Sequence, residues 1–140
     1  MQEQPDYFYA QSAVIPVRRQ GESLQILLIT SRRGRRWIVP KGIIEPDLSP
    51  ADSAAKEALE EAGVQGVVLP ERLGSYQYEK WGGICNVQVF VMEVNELLEV
   101  WLEDFRRREW VDLGDALGRL EEDALCAMLQ RLPDHLERYG

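Results

Sequence analysis

Short runs of hydrophobic residues alternate along this chain with polar turns, which is typical of a protein rich in β-strands. The clearest run spans residues 84–94, where alternate valines would lie on one face of a strand and Phe90 and Met92 on the other. Residues 24–30 are almost uniformly apolar, as expected for a strand buried on both faces. Further strands are predicted at residues 7–19, 37–40, 64–69, 73–79 and 109–113. Pro16 indicates an edge position or a bulge, because proline cannot donate to a strand ladder.

A helix is predicted after residue 49, where the alternating pattern stops. Ser49 is a suitable N-cap, Pro50 fits the first helical position, and Gly63 fits the residue just after the last turn. Asp52, three residues after the cap, completes a pattern like a capping box. Small residues share one side of this helix and would let it approach a sheet closely; they are Ala51, Ala54, Ala55, Ala58 and Ala62.

Two more helices are predicted near the end of the chain, at residues 115–120 and 121–132, after a polar loop at residues 95–107. The second helix has an apolar stripe at helical spacing that is expected to pack in the core, formed by Leu125, Met128, Leu129 and Leu132. Pro133 is expected to end this helix. The single histidine, His135, is then expected at the surface.

Strands interleaved with one central helix and a helical C-terminal segment predict an α/β fold, in which a mixed sheet lies between helices. The 140 residues fit a single domain, and the 45% of hydrophobic residues are enough for one core. The formal net charge of −8 argues against general binding to nucleic acid or to an anionic membrane, since both favour basic surfaces. A small phosphorylated ligand is not excluded, because it needs only a local cluster of positive charge.

The two cysteines, Cys85 and Cys126, lie far apart and form no C-x-x-C motif. Free thiols are therefore expected, rather than a disulfide or a zinc site. The N-terminus lacks the pattern of a signal peptide, and no apolar run approaches the length of a membrane span. We therefore expect a cytoplasmic protein.

The central helix carries Glu57, Glu60 and Glu61 at the spacing i, i+3, i+4, which places three carboxylates on one face. Taken alone, such a pattern is more often a solvated acidic face. If the carboxylates are partly buried, their mutual repulsion is costly unless cations neutralise them. Hard oxygen ligands on a rigid helix suit Mg²⁺ or Mn²⁺, and the carbonyls of the preceding glycine turn could complete the shell.

Arginine and aromatic residues flank this segment. Four arginines at residues 32–36 fit either a solvated hairpin tip or a site for polyphosphate, because guanidinium groups pair with phosphate oxygens. Downstream, Tyr76, Tyr78 and Trp81 fit either ordinary packing within a strand or stacking on a nucleobase.

Residues 42–64 resemble the Nudix box, G-x5-E-x7-R-E-U-x-E-E-x-G-U, in which U is aliphatic. The positions in register are Gly42, Glu57, Ala58, Glu60, Glu61, Gly63 and Val64. Within the Nudix hydrolases, the chain is most similar to the diphosphoinositol polyphosphate phosphohydrolase-like branch. The shared segments are residues 36–40 (RWIVP), 42–46, 60–66 and 108–110 (REW). The resemblance covers roughly residues 10–120.

This resemblance implies an α/β/α sandwich that hydrolyses a phosphoanhydride bond, in a nucleoside diphosphate linked to a further group, with Mg²⁺ or Mn²⁺ as cofactor. The implied metal ligands are Glu57, Glu61, Glu60 and the backbone carbonyls of Lys41 and Gly42. The spacing leaves open whether Glu60 or Glu57 is the catalytic base. Substrate contacts are expected at Arg32, Arg36, Arg106 and Tyr78. Nudix proteins often dimerise, so a homodimer is a further expectation.

Two positions depart from the box. Leu48 stands where the pattern has its first glutamate, and Lys56 stands where an arginine orients the catalytic glutamates. Lysine keeps one positive charge but lacks the bidentate fork of arginine. We expect Lys56 to keep the role of orienting the catalytic glutamates. Because the arginine fork and the first glutamate are both missing, we expect the two departures to affect catalytic efficiency.

The substrate-binding regions depart as well. Residues 10–12 (Ala-Gln-Ser) replace a basic triplet of the diphosphoinositol branch, and residues 83–85 replace its basic loop. A dinucleoside polyphosphate or another nucleotide, which needs fewer cationic contacts, is therefore favoured over a diphosphoinositol polyphosphate. The alternative is a catalytically weak Nudix-fold module that binds a nucleotide or has a regulatory role.

Overall fold

Eight strands form one mixed sheet in the computed structural model, which describes all 140 residues. The strands are β1 (Ala10–Gln20), β2 (Ser23–Thr30), β3 (Trp37–Ile38), β4 (Lys41–Ile43), β5 (Val64–Val68), β6 (Gly74–Lys80), β7 (Gly83–Leu97) and β8 (Arg108–Asp112). The helices are α1 (Pro50–Glu57), α2 (Leu113–Arg119), α3 (Asp123–Leu129) and α4 (Leu132–Tyr139). A path through the sheet runs β3-β2-β1-β7-β5, with β4 paired to β1, β6 to β7 and β8 to β2.

Strand β1 lies in the middle of this sheet, parallel to β7 and antiparallel to β2 and β4. The edge position predicted from Pro16 is therefore wrong. Strand β4 pairs with β1 as far as Ala13, and β2 pairs with it from Val17 onward. Pro16 lies in the gap between these two ladders, where its lack of an N–H group leaves no strand hydrogen bond unmade.

The sheet is covered by helices on both faces, which confirms the predicted α/β/α sandwich. On one face, Val87, Val89 and Val91 pack with the C-terminal helices in a cluster of 19 buried residues. On the other face, Phe90 and Met92 pack with α1 in a cluster of nine. The alternation along β7 thus sorts its side chains between two cores, as the sequence predicts.

The N-terminal part of the first predicted strand is instead a 3-10 helix, Asp6–Tyr9. The Phe8 N–H donates to the Pro5 carbonyl, and the buried Tyr9 hydroxyl donates to the Trp81 carbonyl in the β6–β7 turn. The aromatic residues therefore anchor this segment across the end of the sheet rather than extending β1.

The long helix predicted at residues 121–132 is divided into α3 and α4. Pro133 lies in the first turn of α4, where a missing N–H group costs nothing, and so it helps to begin a helix instead of ending one. His135 falls inside α4 and is only 9% exposed, which contradicts its predicted surface position. The leucine and methionine stripe is buried as predicted.

Both cysteines are free thiols, Cys85 buried and Cys126 half-buried. None of the helices combines the length and the apolar composition needed to cross a membrane.

Candidate active site

Helix α1 brings the acidic residues to the sheet. The Ser49 hydroxyl accepts a hydrogen bond from the Asp52 N–H at 3.1 Å, and Pro50 begins the helix, as predicted. Ala54, Ala58 and Ala62 are fully buried against the sheet, which lets the helix axis lie close to the strands. Gly63 ends the helix with a left-handed φ of 65°, again as predicted.

The last turn of this helix, Ala58–Ala62, is π-helical rather than α-helical. In a π turn the hydrogen bonds join residues five apart along the chain, rather than four apart, and this rotates the side chains that follow the turn. Such turns are concentrated at functional sites in proteins. Here the π turn carries Glu60 and Glu61, while Glu57 immediately precedes it.

Glu57 and Glu61 form a pair of hydrogen-bonded carboxyl groups. Glu61 is only 8% exposed, and its Oε1 accepts a hydrogen bond from the Lys41 N–H at 3.2 Å. Burial, and then the neighbouring Glu57, raise the pKa of Glu61 to about 9. Burial also raises the pKa of Glu57, with Glu60 and Glu103 adding to the effect. The pair therefore retains a proton at neutral pH in the absence of a cation.

Strand β4 presents its backbone to this pair. Val14 N–H donates to the Pro40 carbonyl and Ile44 N–H to the Ala10 carbonyl, so alternation along the ladder turns the Gly42 peptide groups toward β1. The Lys41 N–H and carbonyl point away from β1, and this N–H reaches Glu61. A Cβ atom on residue 42 would collide with the Glu57 carboxylate, so Gly42 provides the space in which that carboxylate lies.

These residues fit a divalent cation. Glu61 is buried and Glu57 is half-buried. Two such carboxylates that share a proton would both ionise if a cation replaced that proton, and the donor atoms are all oxygens of the kind that Mg²⁺ and Mn²⁺ prefer. The structure contains no cluster of three or more acidic, histidine or cysteine side chains spaced for a metal. Glu60 thus stays outside the pair, although it lies near enough to raise the pKa of Glu57.

Lys56 makes its ion pair with Glu45, not with the three helix glutamates. Both side chains are partly exposed, and the hydrogen bond to Glu45 raises the pKa of Lys56. Glu45 comes three residues before Leu48, the position at which the box pattern has its first glutamate. A carboxylate is therefore supplied to Lys56 from a neighbouring position of the same loop.

The predicted arginines occupy different surroundings. Arg106 is only 7% exposed and donates to the Thr30 carbonyl at 2.9 Å and to Glu103 Oε1 at 2.8 Å. Arg32 is exposed and reaches the same Glu103 oxygen at 3.5 Å. Arg36 and Arg106 line the cleft described next. Arg32 and Arg106 thus both bind Glu103, whereas Arg36 and Arg106 line the cleft. The sequence does not indicate the contacts with Glu103.

A cleft of about 410 Å³ opens beside Glu61. Aromatic walls are provided by Trp37, Tyr76 and Tyr78, and positive charges by Arg36, Lys41, Lys80 and Arg106. Glu121, Glu122 and the apolar residues Ile38, Val39, Leu120 and Leu125 complete its lining. The paired carboxylates thus adjoin a space that offers both flat apolar surfaces and cations.

Tyr78 belongs to a chain of hydrogen bonds at this cleft. The Lys41 ammonium group donates to the Tyr78 hydroxyl, which in turn donates to Gln11 Oε1, each at 2.8 Å. Burial, and then the charge of Lys80, lower the pKa of Lys41 to about 8. The Lys41 ammonium group is thus held in place at the cleft wall.

Several neighbours of the site were not singled out from the sequence. Glu45, Glu103, Lys80 and the side chain of Gln11 reach it from separate parts of the chain, and no local spacing identifies them. Trp81, which the sequence offers as a base-stacking residue, lies outside the cleft. Its ring packs against Phe8 and Tyr9, with centroids 5.5 and 6.1 Å away.

Comparison with known proteins finds a family model and curated relatives that agree on one family. The NUDIX domain family model matches residues 8–129. Mouse diphosphoinositol polyphosphate phosphohydrolase 3-alpha is 37% identical over 120 residues, which cover 84% of this chain and 72% of that protein. Arabidopsis thaliana Nudix hydrolase 13, mitochondrial, is 35% identical over 105 residues, which cover 67% of this chain and 52% of that protein.

Solved structures agree on the fold. A binary complex of C. elegans Ap4A hydrolase superimposes with a TM-score of 0.79 at 19% identity, covering 94% of this chain and 99% of that chain. At this level of identity the likeness concerns the fold alone. Together with the family model and the curated relatives, it leads to one conclusion: the chain belongs to the Nudix family and is a Nudix pyrophosphohydrolase.

Proposed function

We propose that this protein hydrolyses a phosphoanhydride bond in a nucleotide, of the type nucleoside diphosphate linked to a further group, with Mg²⁺ or Mn²⁺ held by Glu57 and Glu61. One observation carries the proposal: Glu61, the buried member of the Glu57–Glu61 pair, lines a cleft with aromatic walls. The Glu57–Glu61 pair accounts for metal binding and hydrolysis, and the cleft accounts for the binding of a nucleotide.

The roles of the residues follow from their positions. Glu57, Glu61 and the Lys41 carbonyl would hold the cation, which when bound neutralises phosphate oxygens and acidifies a coordinated water. Glu60 or Glu57 would accept the proton as the water oxygen attacks phosphorus and the bridging P–O bond breaks. Two products that each end in phosphate leave the site. Glu60, which stays outside the Glu57–Glu61 pair, has its carboxylate free for the proton.

Positive side chains at the cleft would bind the phosphates. Arg36, Lys41 and Arg106 line the cleft, and Arg32 lies next to it through Glu103. Arg106 is already engaged by Glu103 and the Thr30 carbonyl, so its charge is oriented before substrate arrives. Arg32 and Arg36 are exposed and can reorient toward a phosphate chain.

The cleft favours a nucleotide over a diphosphoinositol polyphosphate. Trp37, Tyr76 and Tyr78 offer surfaces for stacking a base, whereas an inositol polyphosphate presents anionic groups on every side. Glu121 and Glu122 at the same cleft would repel such a ligand. Curated relatives are named for diphosphoinositol polyphosphate and a structural neighbour for Ap4A, so both substrates belong in the test.

The alternative function is a Nudix-fold module that binds a nucleotide and turns it over weakly. Its support is the pair of departures from the box, Leu48 and Lys56. Against it stands the ion pair between Lys56 and Glu45, which supplies a carboxylate for the lysine. The two functions differ in turnover, not in binding.

The decisive experiment separates and quantifies the hydrolysis products of dinucleoside polyphosphates, ADP-ribose, nucleoside triphosphates and diphosphoinositol phosphates, with Mg²⁺ or Mn²⁺. We expect metal-dependent turnover of a nucleotide, lost in Glu61→Gln and kept in Glu109→Gln. Glu109 is the control, because its carboxylate pairs with Arg119 and does not line the cleft. Binding without turnover at every metal concentration would favour the alternative, and full activity of Glu61→Gln would refute the proposed site.

A further inference from the structure

The carbonyl groups at the end of the catalytic helix are bound by one distant segment, residues 98–108, which we call the clasp. The Glu60 carbonyl accepts from the Glu103 N–H at 2.9 Å and the Gly63 carbonyl from the Leu98 N–H at 2.8 Å. The last carbonyls of a helix have no partner within it. Here a loop supplies those partners, close to the carboxylates of the site.

Two side chains of the clasp add hydrogen bonds of their own. The Trp101 indole N–H donates to the Glu61 carbonyl at 3.1 Å, and Arg108 Nη1 donates to the Ala62 carbonyl at 2.8 Å. The Arg108 guanidinium stacks on the Trp101 ring at 3.9 Å and also donates to the Leu98 carbonyl. Trp101 and Arg108 therefore pack against each other, and both donate hydrogen bonds to the backbone at the end of the helix.

Gly63 shows how closely the clasp fits. A Cβ atom at this residue would lie 2.7 Å from Arg108 Nη1 and 2.7 Å from the Trp101 ring. The left-handed backbone and the contact therefore both require glycine at this position. The end of the helix is consequently packed so closely against Trp101 and Arg108 that no space remains for a side chain at residue 63.

We propose that Trp101 and Arg108 are positioning residues that set the geometry of the Glu57–Glu61 pair; this proposal rests on the function proposed above. Glu61 is held at both ends, its carboxylate by the Lys41 N–H and its main-chain carbonyl by Trp101. The last carbonyls of this turn have no partner within the helix, so they rely on partners from the clasp. Without the indole N–H, the turn relaxes and the Glu61 carboxylate shifts relative to Glu57.

The test compares Trp101→Phe with Trp110→Phe. Both tryptophans are half-buried and lie beneath an arginine, Trp110 beneath Arg18 at 4.3 Å. The Trp110 indole nitrogen has no hydrogen-bond partner, whereas that of Trp101 holds Glu61. The two substitutions therefore remove the same atoms, but only one of them removes a bond to the site.

Isothermal titration with Mn²⁺ alone gives a readout that does not depend on turnover. We expect Trp101→Phe to weaken Mn²⁺ binding about tenfold, as changes behind metal ligands usually do, while Trp110→Phe leaves it unchanged. In steady-state kinetics, kcat of Trp101→Phe should fall with little change in KM. Its melting temperature without metal should drop further than that of Trp110→Phe, because the Glu61 carbonyl loses a hydrogen-bond partner, while both variants stay folded at the temperature of the titration.

Arg108→Lys provides a second variant in case Trp101→Phe does not fold. Arg108 binds the carbonyls of Ala62, Gly63 and Leu98. Lysine keeps the charge but cannot stack on Trp101 and bridge these three carbonyls, so Mn²⁺ binding should weaken here too. Unchanged Mn²⁺ affinity in the folded variants, or equal losses in Trp101→Phe and Trp110→Phe, would overturn the clasp proposal. The function proposed above fails separately, if Glu61→Gln binds Mn²⁺ as tightly as the unaltered protein.

Discussion

Gly42 shows how a single residue without a side chain shapes the candidate site. A methyl group there would meet the Glu57 carboxylate, which is the flexible end of a side chain, so the fold should adapt while the carboxylate moves. We expect Gly42→Ala to lower kcat about a hundredfold, because displacements near 1 Å have effects of that size.

Gly114→Ala is the matched control for this substitution, since a Cβ atom at residue 114 meets nothing within 4 Å. Its activity should equal that of the unaltered protein. Hydrolysis of the nucleotide and circular dichroism, measured on both variants, separate a local effect on Glu57 from a loss of structure. Equal activity of the two variants would show that the position of Glu57 does not depend on Gly42.

Glu61 links stability to pH. Its pKa is about 9 in the folded protein without metal, against an ordinary value of 4.5, so between these values the folded state binds more protons than the unfolded chain. Its contribution to stability is complete below pH 4.5 and is lost as the pH rises through about 9. In EDTA, the melting temperature should fall across this window.

Glu61→Gln should flatten this decline, because the amide stays neutral at every pH and resembles the protonated acid in shape. Added Mg²⁺ should raise the melting temperature of the unaltered protein at pH 8 but not that of Glu61→Gln. Thermal melts at a series of pH values test both statements. Parallel curves for the two proteins in EDTA would contradict the assigned pKa.

At the scale of elements, the loop before α1 and the helix itself are joined by the ion pair of Lys56 and Glu45. If this pair orients the helix, Glu45→Gln and Lys56→Met should each lower kcat several-fold. The double variant should be no worse than either single one, because residues that act as a unit are not additive. A kinetic double-mutant cycle measures this coupling, and independent, additive losses would assign the two residues to separate roles.

At the scale of the whole molecule, the cleft is assembled from β3, β4, β6, the π turn that carries Glu61, the segment that carries Arg106, and residues 120–125. Tyr76 lies on its wall and, under the proposed function, stacks the base of the substrate. Tyr76→Ala should raise KM for a nucleotide about tenfold or more, because stacking contributes roughly 1–3 kcal/mol per base. Tyr7→Ala, at an exposed tyrosine outside the cleft, serves as the control.

The same variant distinguishes the two substrate classes. An inositol polyphosphate has no aromatic ring to stack, so its KM should not depend on Tyr76. A KM for the nucleotide that is unaffected by Tyr76→Ala would remove the aromatic wall from substrate recognition and reopen the choice of substrate.

Local sequence patterns were sufficient to predict many structural features of this protein. Alternation along β7 sorted its side chains between two cores, and the cap residues placed both ends of the central helix. These features follow from backbone periodicity and from bonds between near neighbours, so the sequence carries them directly. The spacing of Glu57 and Glu61 belongs to the same class, since both lie within one helical segment.

Other features arose only from tertiary structure. Trp101 reaches Glu61 across 40 residues, and Tyr78 reaches Gln11 across 67, distances along the chain over which no periodicity operates. The π turn and the division of α3 from α4 likewise depend on what packs against them. The sequence by itself determined which residues could form a metal site and a sandwich around it. The tertiary structure decided that Glu57 and Glu61 pair while Glu60 stays apart, because burial and distant hydrogen bonds set the rotation of each side chain.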